Sequence, residues 1–99
     1  MNLQAIMKQA QAMQKDITKA KKEIDEMKFT VTQSFVTVTL RGDRTVEKVE
    51  IDSDAELGKD DIEMLQDMIV VAINQAMKEI DKVTEQKLGK YSNAMQGLL

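Results

Sequence analysis

Cysteine, histidine, proline and tryptophan are all missing from this chain of 99 residues. Without cysteine there is no disulfide and no thiolate metal site. Without histidine the usual metal ligand and the usual general base near neutral pH are gone. No Ser/His or Cys/His nucleophile pair can be assembled, so no residue constellation supports an enzyme. Aromatic side chains make up only 3% of the chain, as Phe29, Phe35 and Tyr91, so eight Met and many Ile, Val, Leu and Ala must fill the core. The longest apolar run, Met68 to Ile73, is far short of the roughly 18 residues of a membrane span. The N-terminus has no signal-peptide pattern of apolar stretch and small-residue cleavage site. These absences make a cytoplasmic protein the expectation, with no cofactor, metal or membrane partner.

A hydrophobic content of 42% suits a folded chain. The length suits one domain, taken as residues 1–99. So small a domain hides only about 60–65% of the surface its unfolded chain exposes, so burial through self-association would add to its stability. The net charge is −3 and unevenly spread. Residues 1–28 carry six Lys against four acids; residues 53–99 carry five Lys against nine acids. The acidic total opposes phosphate binding by the whole surface, but the first segment is locally basic.

Residues 2–28 read as one long helix. Leu3, Ile6, Ala10, Met13, Ile17, Ala20, Ile24 and Met27 alternate three and four apart, a coiled-coil seam uninterrupted by Gly or Pro. Such a helix is ~39 Å long at 1.5 Å per residue, longer than a ~26 Å globule, so part of it should project. The near half of the seam has two readings open to it, its own core or a partner helix. The far half points to a partner helix.

From residue 29 the period changes to two. Phe29 and Val31, then Val36, Val38 and Leu40, then Val49 and Ile51 alternate with polar residues, which predicts three short antiparallel strands with one buried face. Gly42-Asp43 marks the second turn. Val46 is out of phase and predicts a bulge or a late strand start. After a polar connection with a turn near Asp54–Glu56, Asp60 or Asp61 is expected to cap a second helix running to about Lys87, stopped by Gly89. Ile62, Leu65, Ile69, Ala72, Ala76, Ile80 and Val83 form its main stripe. Between Met68 and Ile73 it is apolar nearly all round, more than one sheet can cover. Met68, Ile69, Val71, Ala72 and Ile73 are therefore the expected dimer interface. The tail 91–99 is expected to be mobile. The fold class is α+β, with helices flanking a three-stranded antiparallel sheet.

Candidate sites are few. Asp60/Asp61 and Asp52/Asp54 read as caps and turns rather than as acid–base or metal pairs. Arg41–Arg44 lacks the spacing of a phosphate-binding loop. Lys8, Lys15, Lys19 and Lys22, spaced three, four and seven apart, share one side of the first helix. On charge alone a solvated face explains them; as a functional array they would touch DNA phosphates. With no aromatics interleaved, base stacking on single strands is not expected.

The chain resembles the YbaB/EbfC family of nucleoid-associated proteins over almost all of residues 2–97. The resemblance rests on Ile6-Met7-Lys8-Gln9-Ala10-Gln11-Ala12-Met13-Gln14, Val49-Glu50-Ile51-Asp52, Asp61 to Asp67 followed by Ala72-Ile73-Asn74-Gln75-Ala76, and Lys87-Leu88-Gly89-Lys90. It implies an α-β-β-β-α protomer in a tweezer-like homodimer, binding duplex DNA in the nucleoid with little sequence preference. Family genes often accompany recombination and clamp-loading genes, which gives the alternative of a dimeric adaptor for replication or recombination proteins. One departure stands out: Thr32-Gln33-Ser34-Phe35 replaces the Gly-rich segment usual before the middle strand.

Overall fold

A computed structural model describes residues 2–92. Helix α1 spans Leu3–Glu26, strands β1, β2 and β3 span Lys28–Gln33, Val36–Arg41 and Val46–Ile51, and helix α2 spans Ile62–Leu88. Short 3-10 turns, Lys59–Asp61 and Gly89–Tyr91, flank α2. The expected mobile tail lies, from residue 93 on, outside the described residues.

Asn2 caps α1, its side-chain oxygen accepting a hydrogen bond from the Ala5 backbone N–H at 3.3 Å. The helix stops just short of the expected end because Met27 turns extended, with φ −68° and ψ 150°. Its carbonyl then accepts the Gly42 N–H at 2.9 Å, which feeds the chain into the sheet.

The sheet is antiparallel in the order β1-β2-β3. Gln33 pairs with Val36, so the first turn has two residues, Ser34 and Phe35. Ser34 takes φ 54°, the left-handed conformation glycine adopts without steric cost. That is how this chain closes the hairpin without a Gly-rich segment. In the second hairpin Leu40 pairs with Val46 and Thr39 with Lys48, leaving Glu47 as the extra residue. The bulge returns Val46 to the same face as Leu40, as its phase in the sequence required.

Helix α2 lies across β1 and β2. Ala72, Ala76 and Ile80 meet Phe29, Val31, Val36, Val38 and Leu40, with Leu65, Ile69, Ile73, Met77 and Val83 packed at the margin. Each large side chain fully buried here, such as Leu40 or Ile80, contributes about 1.5–3 kcal/mol. On the opposite sheet face, threonine hydroxyls pair across strands, Thr30 with Thr39 at 3.4 Å and Thr32 with Thr37 at 3.0 Å.

One expectation needs correction. One buried face was expected for all three strands, yet every residue of β3 is exposed. Val46, Val49 and Ile51 sit opposite Leu40, Val38 and Val36 on the helix side, but α2 is too narrow to reach the third strand. Gly89 ends α2 as expected, with a φ of −57°, and the chain tightens there into a 3-10 turn.

A second, smaller cluster joins the helices. Ile17 and Ile24 of α1 pack on Leu88, with Ala20 and Tyr91 beside them. The near half of the seam is therefore core of its own protomer. Residues 2–16 are exposed throughout, and the molecule measures 71 × 18 × 16 Å. Helix α1 is an arm.

Candidate nucleic-acid interface

Two sequence-derived groups of residues can be placed on this frame. Lys8, Lys15, Lys19 and Lys22 are all exposed. At 3.6 residues per turn they fall within an arc of about 60°, roughly 180° from the apolar seam, and the ridge from Lys8 to Lys22 is ~21 Å long. The seam holds α1 to the body through Ile17 and Ile24, so the ridge faces away from the body. The ion pairs among the described residues are Lys28–Glu47, Arg44–Asp81 and Lys48–Glu50, none of which engages the ridge. Asp16, Glu23 and Glu26 neighbour the four lysines in sequence but form no ion pair with them among the described residues. Four ammonium groups on an exposed rod are suited to phosphate oxygens as point charges.

The other basic segment is less free. Lys78, Lys82, Lys87 and Lys90 lie near the end of α2. Glu79 and Glu85 lie among them, and Lys90 is held over the Tyr91 ring at 5.0 Å. Arg44, in the second hairpin, is tied to α2 through Asp81 and the Met77 sulfur. That link is half exposed, so it fixes hairpin geometry more than it adds stability, at about 1 kcal/mol or less.

The apolar belt is divided by the fold. Ala72 faces the protomer's own sheet and is fully buried, so it offers no surface to a partner. Met68 and Val71 lie on the flank of α2 beside Gln33, around a cleft of about 420 Å³ that Met64, Asp60, Glu63 and Asp67 also line. Ile69 and Ile73 pack at the core margin on the other flank, the side on which Met77 meets Arg44. Val70, also on that side, is 56% exposed. Val46, Val49 and Ile51, on the α2 side of β3, are 42%, 42% and 43% exposed, an apolar strand face that the linear pattern does not reveal as surface. The signal is present in the alternation of β3; what the pattern lacks is that α2 stops at β2.

The acidic pairs do local work. Asp52 accepts the Asp54 N–H at 2.9 Å, and Asp61 accepts the Gly58 N–H at 2.9 Å. Asp43 accepts hydrogen bonds from Thr45, including its N–H at 2.9 Å, and these hold the Asp43 carboxyl below the usual carboxylate range. All three are turn or cap geometry. Among the described residues no group of three or more carboxylates is placed to hold a metal ion, and no helix is long and apolar enough to cross a membrane.

Known proteins similar to this chain include nucleoid-associated proteins. The chain is 42% identical over 98 residues to a nucleoid-associated protein of Enterococcus faecalis, covering 97% of this chain and 93% of the relative. A nucleoid-associated protein of Lactococcus lactis is 43% identical over 97 residues, covering 96% and 97%. The fold matches the crystal structure of uncharacterized protein HP0035 from Helicobacter pylori with a TM-score of 0.63 at 16% identity, over 100% of this chain and 99% of that one. The model of the YbaB/EbfC DNA-binding family matches residues 1–95, so nearly every element described above, arm included, lies within it: the chain belongs to the YbaB/EbfC DNA-binding family.

Proposed function

We propose that this protein is a cytoplasmic, single-domain, nucleoid-associated protein that binds duplex DNA as a homodimer, gripping phosphates with the lysine ridge of α1 and reading little sequence. The observation that carries the reading is the arm itself. Residues 2–16 are exposed, the ridge lysines are unpaired among the described residues, and they line the side opposite the apolar seam. The family supports DNA as the partner. Phosphate contacts orient a protein on a duplex but carry no sequence code, so broad binding follows from lysine point charges. No catalytic step is part of this reading.

The dimer is proposed to close over the exposed apolar face of β3. An apolar strand exposed at a sheet edge is a surface soluble proteins normally cover. Val49 and Ile51 are 42% and 43% exposed on β3. Two copies related by a two-fold axis would each bury the same patch. Two arms would then leave one body, and each ridge would be present twice.

Gel-shift titration with random duplex at two salt concentrations tests the reading. Affinity should fall steeply with salt. Replacing Lys8, Lys15, Lys19 and Lys22 together by Gln should abolish most of the binding while the dimer stays folded. Unchanged affinity would move the site elsewhere, first to the end of α2. The second reading, an adaptor for replication or recombination proteins, is favoured by the net charge of −3. It takes over if the wild-type chain binds no duplex even at low salt.

A further inference from the structure

Among the described residues, nothing covers the outer half of the α1 seam. Leu3, Ile6, Met7 and Met13 are 69%, 45%, 54% and 41% exposed at the tip of the arm. We propose that this tip is a second self-association surface, distinct from the apolar face of β3, at which the α1 tip of another copy lies antiparallel.

Three features select a second copy as the occupant. First, the spacing suits a helix. The same three-and-four alternation already packs against a helix at Ile17, Ala20 and Ile24, and it continues unbroken to Leu3. Second, the flanks are uncharged. Asn2 and Gln9 border one side of the tip seam, Met7 and Gln14 the other, so an identical tip meets no like charge. The Lys8 and Lys15 ammonium groups are on the far side of the rod. Third, the side chains are complementary in size. An antiparallel overlap centred near residue 8 sets Ala10 of each helix against Ile6 of the other, and Leu3 against Met13. Small then faces large in the middle layers, which lets the backbones approach closely. The overlap also sends the two bodies in opposite directions, so they do not collide.

The tip is short. From Leu3 to Met13 it is ~15 Å long, and two such faces bury less than the ~800 Å² per partner of a standard interface. The contact is therefore weak in dilute solution and fills when arms are crowded. It leaves the lysine ridge open. If the ridge binds DNA as proposed above, paired tips would join separate dimers and tie two stretches of duplex together.

The tip contact itself is tested without DNA. Sedimentation of the full chain from micromolar to millimolar concentration should show mass growing beyond the base assembly. Ile6→Lys should move the onset of that growth up by about tenfold or more in concentration, a penalty of ~1.4 kcal/mol. Its thermal melt should stay unchanged, because Ile6 lies outside both core clusters. The chain has no native cysteine, so disulfide trapping is clean. Met7→Cys should cross-link readily under mild oxidation, and Lys8→Cys, pointing away, should not. Constant mass up to millimolar concentration would overturn the proposal, as would equal trapping at the two positions. So would a lowered melting temperature for Ile6→Lys, which would mean that the tip is packed within its own chain.

Discussion

Gly42 is the residue at which the arm is joined to the body. A Cβ built there would overlap the Ile24 carbonyl oxygen, backbone against backbone. Neither group can swing aside as a side-chain end would. Gly42→Ala should therefore cost about 1–3 kcal/mol in a denaturant melt, as overpacked cores do, or release the arm from Leu88. Ser34 offers the opposite case. Its φ of 54° places Cβ in the strained left-handed region, where a non-glycine residue costs roughly 1–2 kcal/mol. Ser34→Gly should stabilise the fold by about 0.5–1 kcal/mol, because the strain is relieved while the larger freedom of glycine in the unfolded chain offsets part of that gain. A chemical melt that showed Ser34→Gly less stable than the parent would mean that the serine side chain itself holds the turn. Gly42 is visible in the sequence as a turn residue and Ser34 as part of the segment that replaces a Gly-rich one, but their opposite roles are not. Gly42 is needed for proximity and Ser34 is tolerated despite its angle, and neither distinction exists before the chain is folded.

Among the elements, α1 shows best how one pattern serves two environments. Its seam repeats without a break from Leu3 to Met27, yet Ile17 and Ile24 are core while Leu3 and Ile6 are in water. Periodicity gives the face of a helix, whereas burial depends on what lies beside that face. Leu88 and Tyr91 reach only the near half. The ridge of lysines behaves alike along its length, since all four are exposed. Single Lys→Gln changes at residues 8, 15, 19 and 22 should each weaken binding about equally on unrelated duplexes. Each should lower the salt slope by about one unit for every phosphate it leaves without a cation, up to two in a dimer. A change that affected one duplex sequence and spared another would argue for base recognition at that lysine. Strand β3 illustrates the converse of α1. Its alternation correctly predicts one apolar face, but assigning that face to the protomer core supposes that three strands share one helix.

At the level of the whole molecule, the exposed face of β3 should make association and folding separable. Ile69 and Ile73 serve the protomer core, so charged substitutions there should unfold the chain and the dimer together. Val49 is 42% exposed and lies outside the helix-covered core. Val49→Asp should leave the fold intact and convert twice the 11.2 kDa chain mass to a single chain mass by light scattering at micromolar concentration. Val71→Asp, on the far flank, should leave the dimer in place. Dissociation by Val71→Asp with no effect of Val49→Asp would shift the interface to the cleft beside Gln33. An arm carried by a monomer would also lose its twin, so Val49→Asp should weaken duplex binding even though it removes no lysine.

Much of this protein is written along its length. Switching from a three-and-four period to a period of two at Phe29, and back to a helical one after Asp61, is enough to give α-β-β-β-α, because burial demands one apolar face per element and the spacing names it. The missing His and Cys remove whole classes of chemistry before any shape is known, and the local excess of Lys singles out α1. Other features needed the packed molecule. Whether Ile17 is core and Ile6 is surface, why Ala72 cannot meet a partner while Val49 is open to one, and why Gly42 admits no side chain all follow from the distance and width of neighbouring elements. A helix about 10 Å across covers two strands and not three, and a seam outruns its cover when its partner helix ends first.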